Sequence, residues 1–87
     1  MITLVYGEHF LRSARALPTL QRRKLARLLE SLRANPFHPL LHTKRLSGNL
    51  AGMFSFRITR DWRVIFQFND PTTLQLLRVA NRKDVYR

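Results

Sequence analysis

Apolar and polar residues alternate along residues 54–68, and this stretch carries the clearest strand pattern of the chain. Side chains that alternate with a period of two point to opposite faces of a β-strand. The alternation breaks at Thr59–Asp61 and resumes at Trp62. The pattern therefore predicts two antiparallel strands joined by a short loop, with Phe56 opposite Val64 on one apolar face.

The same register places Arg57 directly opposite Arg63 on the other face of the predicted hairpin. Like charges that face each other destabilise a sheet. An anion between the two guanidinium groups would remove this conflict, and a planar guanidinium suits a phosphate. The pattern favours a phosphate site on the concave face of the sheet. The alternative is that both side chains turn outward into water.

Two helices are predicted before the hairpin. Apolar residues have helical spacing from Glu8 to Leu17, and Pro18 then interrupts the pattern and opens a second helix. Asn35 and Pro36 end that helix. Its apolar stripe is formed by leucines: Leu20, Leu25, Leu28, Leu29 and Leu32. Because almost no loop joins the helices, we expect an antiparallel helical hairpin whose leucines cover the apolar face of the sheet.

The remaining segments complete the sheet and its connections. Residues 2–6 are a short β-rich run, and Thr73–Ala80 is predicted to be a further strand. Residues 37–52 contain proline and glycine and are predicted to be a long irregular loop. The tail, residues 81–87, is polar and basic.

These elements predict the order β-α-α-β-β-β within a single domain that covers residues 1–87. We expect an α+β fold in which the two-helix hairpin packs on one face of a small, curved, mostly antiparallel sheet. A chain of this length supplies one hydrophobic core, and no second core is expected.

The chain is strongly basic, and this bears on its partners. Sixteen Lys and Arg against five Asp and Glu give a formal charge of +11, and 13 of the 16 cations are Arg. Such a surface suits nucleic acid, an acidic protein partner or both. An anionic membrane surface is disfavoured, because the basic helix carries no Trp or Phe on its face.

The sequence argues against several other classes of site. The chain has no cysteine, so disulfides and thiolate metal sites are excluded. No acidic residue lies at ligand spacing from His9, His38 or His42, so neither a metal nor another cofactor is expected. No apolar run is long enough to span a bilayer, and the N-terminus lacks a secretory pattern, so we expect a cytoplasmic protein.

Three segments together resemble the RelE/ParE toxin superfamily of type II toxin–antitoxin systems, particularly its RelE-like and YoeB-like mRNA interferases. They are LSGNLAGMFSFRI at residues 46–58, DWRVIFQF at residues 61–68 and RKDVYR at residues 82–87. The resemblance is carried by a glycine-containing loop, a strand with an arginine, an aromatic-Arg-hydrophobic strand and a basic tail with a tyrosine. It covers nearly the whole chain.

The resemblance implies a toxin that enters the ribosomal A site and cleaves mRNA there, and so inhibits translation. It also implies a cognate antitoxin whose acidic, partly helical segment covers the basic surface of the toxin. Operator DNA would be bound only through the complex with that antitoxin. No membrane partner is implied.

Four residues match the motif of the family's active site. Arg57 matches a basic strand residue, and Arg63 matches the arginine of the aromatic-Arg strand. Arg82 matches the basic residue beyond the last strand, and Tyr86 matches the terminal tyrosine. The resemblance thus implies that these four residues are catalytic.

The chain departs from the family at two candidate general bases. Family members often have a histidine where this chain has Asn81, and YoeB-like members have a glutamate near the position of Lys44. Tyr86, whose pKa neighbouring cations would lower, is then a candidate base, or its ring could stack on a nucleobase. His42 is a second candidate, and a plain loop histidine is the alternative.

Metal-independent cleavage requires deprotonation of the 2′-OH and stabilisation of the charge that develops on the phosphorane. Arginine suits the second task, because it stays charged and grips two oxygens. The other basic residues are expected to bind RNA or the ribosome. They are Lys44, Arg45, Arg60, Lys83, Arg87, Arg22, Arg23, Lys24 and Arg27.

Two alternatives share this fold. One is a ParE-like inhibitor of DNA gyrase with no catalysis, which needs no phosphate clamp on the sheet. The other is an inactive toxin that acts as a DNA-binding corepressor with its antitoxin, and Asn81 is the feature in its favour.

Overall fold

The computed structural model describes residues 1–85, so Tyr86 and Arg87 lie outside the described residues. The helices and strands, in chain order, are β1 (Thr3–Tyr6), α1 (Glu8–Arg15), α2 (Thr19–Ala34), β2 (Lys44–Arg45), β3 (Phe54–Arg57), β4 (Trp62–Asp70), β5 (Thr73–Asn81) and α3 (Arg82–Val85). Short 3₁₀ helices cover Pro39–Leu41 and Gly48–Leu50.

The strands form one five-stranded sheet with the order β1-β5-β4-β3-β2. β1 pairs with β5 in parallel, and the other three pairs are antiparallel. The predicted α+β fold with a helical hairpin on a mostly antiparallel sheet is confirmed. The sheet is uncurled rather than curved. β1 lies at one edge of the sheet and β2 at the other, so the sheet does not close on itself.

β2 and α3 are additions to the predicted order. β2 has only two residues, which is too short for an alternating pattern, and it is held by pairing Lys44 with Ser55 and Arg45 with Phe54. α3 is a single turn within the polar, basic tail, for which no element was predicted. Both elements depend on contacts with distant parts of the chain, and the local sequence gives no periodic signal for them.

The helices cover one face of the sheet and enclose the main core. Its fully buried centre includes Leu32 of α2 with Phe56 and Phe66 of the sheet. Leu20 is an exception to the predicted stripe, because it is 74% exposed. It lies five positions before Leu25, which is about 140° away around a helix of 3.6 residues per turn.

A second, smaller cluster lies on the opposite face, where no core was expected. It contains Leu46, Ile65, Ala80 and Val85. Val85 is supplied by α3, so α3 covers this end of the sheet. The cluster is possible because α3 and the loop before β3 shield a few apolar side chains that β4 and β5 would otherwise expose.

Two tight connections fix the sheet. The N–H of Gly7 donates to the carbonyl of Leu76 at 3.0 Å, and a Cβ at Gly7 would lie 2.6 Å from that oxygen, so β1 approaches β5 too closely for a side chain. Between β4 and β5, the N–H of Thr72 donates to Asp70 Oδ1 at 2.8 Å. This hydrogen bond and that of the Thr73 side chain lower the pKa of Asp70. The hydrogen bonds to the Asp70 carboxylate therefore stabilise the fold at a pH above the ordinary carboxyl pKa. This stabilisation is lost as the pH falls through the lowered pKa of Asp70.

No helix within residues 1–85 is both long and apolar enough to cross a membrane.

The burial of the α2 leucines predicts different costs of truncation. Leu32→Ala should lower the free energy of unfolding by about 2–5 kcal/mol, because it leaves a cavity among fully buried side chains. Leu20→Ala, on the same helix but exposed, should change it by no more than about 0.5 kcal/mol. Urea unfolding followed by circular dichroism measures both. Equal losses would contradict the packing of α2.

Candidate functional site

Arg57 and Arg63 lie directly opposite each other on β3 and β4, as predicted. Phe56 pairs with Val64 in the same ladder, which places the aromatic residues on the helix side and the two arginines on the other. The next residue across the sheet from Arg63 is Ala80 of β5. Because Ala80 has only a methyl side chain, this row consists of two cations beside a small residue.

The Arg63 side chain is buried and anchors the turn. Only 6% of Arg63 is exposed. Its Nη1 donates to the carbonyl of Thr59 at 2.6 Å and, at 3.5 Å, to that of Trp62. Backbone carbonyls of the β3–β4 turn therefore compensate part of the charge that was expected to need an anion.

The Arg57 side chain is placed differently. It is half-buried, and its Nε is buried without a hydrogen-bond partner within the described part of the chain. Arg57 also lines a cavity of about 580 Å³ between α2 and residues 57–60, which we call the α2 cavity. Lys24 and Arg27 of α2 line the same cavity. The surroundings of the two arginines thus differ. The Arg63 guanidinium donates to backbone carbonyls, whereas the Arg57 Nε has no hydrogen-bond partner among the described residues.

A second cavity, of about 520 Å³, lies between the β3–β4 turn and α3, and we call it the α3 cavity. Arg60, Arg82 and Lys83 line it together with Asp61 and Asn81. The backbone N–H of Arg82 donates to the Asp61 carbonyl at 2.8 Å, which ties α3 to the turn. Arg60 lines both cavities and so lies between them.

Asn81 has a structural role that the sequence did not reveal. Its Oδ1 accepts a hydrogen bond of 3.0 Å from the backbone N–H of Lys83, as a residue at the start of a helix does. An asparagine directly before a helix is a sequence signal for such a role. The signal could not be used here, because α3 is too short to be recognised from helical periodicity. Asn81 also lines the α3 cavity, where it is an amide in place of the imidazole implied by the family.

The other predicted RNA-binding residues are spread over two further places. Lys44 and Arg45 are exposed on β2, at the sheet edge, and the Arg45 guanidinium carbon lies 5.8 Å from the centre of the Phe54 ring. Arg22 donates to Thr19 Oγ1 at 3.2 Å and lines a groove between α1 and α2, away from both cavities. Arg23 is exposed on α2. Tyr86 and Arg87 lie outside the described residues.

The structure separates the two loop histidines. His38 Nδ1 accepts a hydrogen bond from the N–H of Leu40 at 3.1 Å, which caps the 3₁₀ helix Pro39–Leu41. His42 follows that helix in the left-handed region, with φ 49° and ψ 44°, and lines the α2 cavity with Arg57. Within residues 1–85, no group of three His, Asp or Glu side chains is arranged to hold a metal ion.

Solved structures resemble this fold over nearly the whole chain. YafQ from E. coli strain BL21(DE3) has a TM-score of 0.79 at 16% identity and covers all of both chains. A chain of the archaeal RelE–RelB complex from Pyrococcus horikoshii OT3 has a TM-score of 0.76 at 19% identity, over 93% of this chain and 94% of that chain. At these identities the likeness concerns the fold.

A third structure decides the family. A chain of the toxin–antitoxin complex RelBE2 from Mycobacterium tuberculosis is 30% identical, covers 93% of this chain and 98% of that chain, and has a TM-score of 0.68. The chain belongs to the RelE/YoeB-like toxin superfamily. The resemblance seen in the sequence motifs is thereby confirmed. No protein-family model and no curated protein matches the chain.

Within this RelE/YoeB-like fold, the two arginines should differ in their effect on stability. Arg63→Ala removes a buried guanidinium that donates to Thr59, so the free energy of unfolding should fall by about 1.5–3 kcal/mol. Arg57→Ala should cost less, because its Nε has no partner to lose. Thermal and urea unfolding measure both variants. A larger loss for Arg57→Ala than for Arg63→Ala would contradict the assigned roles.

Proposed function

We propose that this RelE/YoeB-like toxin is a ribosome-dependent mRNA endoribonuclease that inhibits translation. The observation that carries the proposal is the pairing of Arg57 with Arg63 across β3 and β4. Packing on the helix side sets the register of this pair, and two guanidinium groups that face each other suit a shared anion such as a phosphodiester.

The proposed chemistry is metal-independent attack of the 2′-OH on the adjacent phosphate. The 2′-OH loses its proton to a base as the O2′–P bond forms, and the P–O5′ bond breaks, which leaves a cyclic phosphate and a 5′-oxygen that takes up a proton. Arg57 and Arg63 stabilise the charge that develops on the non-bridging oxygens. The buried bond from Arg63 Nη1 to Thr59 holds its guanidinium in place, so little reorganisation accompanies the reaction. Arg82, which is exposed at the α3 cavity, completes the charge around the phosphate.

Proton transfer needs a group other than arginine, which stays protonated. Tyr86, which lies outside the described residues, is the residue that we propose as the base or as a ring that stacks on a nucleobase. A catalyst built mainly on arginines works by positioning and by charge stabilisation, so the substrate must supply part of the geometry. For this reason we propose that cleavage takes place in the ribosomal A site.

The proposed partner is a cognate antitoxin. RelE–RelB from Pyrococcus horikoshii and YoeB–YefM from Staphylococcus aureus are solved as toxin–antitoxin complexes. A charge of +11 on this chain favours an acidic partner segment. We propose that this segment is partly helical, that it covers the basic surface, and that operator DNA is bound only through the complex.

Primer extension on a defined mRNA in a translating extract tests the function. Wild-type protein should produce cuts within the reading frame that require ribosomes. Arg82→Ala should reduce cutting by about 10²-fold or more, because it removes a charge at the proposed phosphate. The fold should survive, since Arg82 holds the turn through its backbone N–H.

Arg12→Ala is the matched control. It removes the same charge from α1, where the side chain is 73% exposed and lies 3.9 Å from Glu8. This variant should cut as wild type does. Equal loss in both variants would contradict a specific role for Arg82. Wild-type protein that leaves mRNA intact but inhibits DNA supercoiling would contradict cleavage altogether and indicate a gyrase inhibitor.

A further inference from the structure

The α2 cavity is a concave, strongly basic site that the catalytic proposal uses only through Arg57. α2 contributes Lys24 and Arg27, and the β3–β4 hairpin contributes Arg57 and Arg60. His42 lines the cavity from the preceding loop. Among the described residues, no Asp or Glu lines it. Four permanent positive charges thus converge on about 580 Å³ without a carboxylate among them.

The Arg57 Nε provides a second, independent sign of a missing ligand. It is buried, and within residues 1–85 it has no hydrogen-bond partner. A buried donor that is left unsatisfied is costly, and buried polar groups in folded proteins nearly always have a partner. Arg57 also lines the α2 cavity, so an oxyanion bound there would lie against the residue that carries this unpaired donor.

The lining combines donors with an apolar wall. Leu28 and Ile58 belong to the main core, and both line the cavity. Ser31 and Thr59 add hydroxyl groups. An apolar wall lowers the local dielectric and strengthens attraction between cations and an anion. Lys24, Arg27 and Arg60 are themselves exposed, so their attraction for an anion weakens as the salt concentration rises.

His42 is held at the cavity in a backbone conformation that non-glycine residues seldom adopt. Its φ is 49°, and its N–H donates to the carbonyl of Pro39 at 3.3 Å. Strained backbone that persists at a ligand cleft is a reason to suspect a role there. An imidazole N–H at this position would add one more donor for an anion.

We propose that the α2 cavity binds a phosphate group, through Lys24, Arg27, Arg57 and Arg60. Arg57 belongs to both the cavity and the arginine row on the sheet. A phosphate in the cavity would thus lie next to the one held at the row. The source of the phosphate is either a diester of the RNA strand or a terminal phosphate. The RNA source rests on the proposed function, but phosphate binding itself does not.

NMR titration of the full chain at an ionic strength of about 0.15 M tests the site. Three probes separate the sources: inorganic phosphate, a nucleoside 5′-monophosphate and a dinucleoside monophosphate, which carries only a diester. Amide shifts of α2 and of residues 57–60 should move with one or more of them. Arg27→Gln should raise the Kd by about tenfold or more, because it removes a charged donor.

Arg33→Gln is the matched control on the same helix. Arg33 carries the same charge, but it lies 3.6 Å from Glu30 and lines a different cavity with Met1. It should leave the Kd within about twofold of wild type, since distant exposed charges are screened. Equal weakening by both variants, or no saturable shift with any probe, would overturn the site.

The probes and the cleavage assay give separable outcomes. Binding of the dinucleoside monophosphate that Arg27→Gln weakens supports an RNA diester. Binding of only the other two probes supports a terminal phosphate. A chain that binds phosphate here but cuts no mRNA would keep the site and remove the proposed function. A chain that cuts mRNA without binding phosphate in the α2 cavity would keep the proposed function and remove the site.

Discussion

The pairing of β3 with β4 is the constraint on which the rest of the structure depends. It aligns Phe56 with Val64 on the helix side, where the main core is fully buried. A shift of one residue would turn Arg57 and Arg63 into that core and expose the aromatic residues. The core therefore enforces a register that also places two cations face to face. The arginine row is a consequence of packing on the opposite side of the sheet.

The two arginines are not equivalent, and this asymmetry connects folding to the proposed chemistry. Arg63 is compensated by the carbonyl of Thr59, so it belongs to the stable framework of the turn. Arg57 has a buried donor without a partner among residues 1–85. Local conflicts of this kind are expected where a protein binds a ligand, because the ligand completes the interactions that folding leaves open.

The fold concentrates a general excess of positive charge into particular places. Arg60 lies between the α2 and α3 cavities, while Arg57 joins the α2 cavity to the row on the sheet. These positions depend on α2 from one side and α3 from the other, elements that are distant in sequence. A basic composition that would attract any polyanion thus becomes an arrangement suited to phosphate groups at defined points.

The sequence by itself determined the helical hairpin, the β3–β4 register and the opposition of Arg57 and Arg63, because period-two and helical patterns are local. It also carried the motifs by which the family was recognised. Only the tertiary structure decided that Arg63 is buried against its own turn, that Leu20 lies outside the core and that Asn81 caps α3. The sequence likewise did not predict the second cluster or the α2 cavity. Each is assembled from segments far apart in the chain, and no local pattern encodes such contacts.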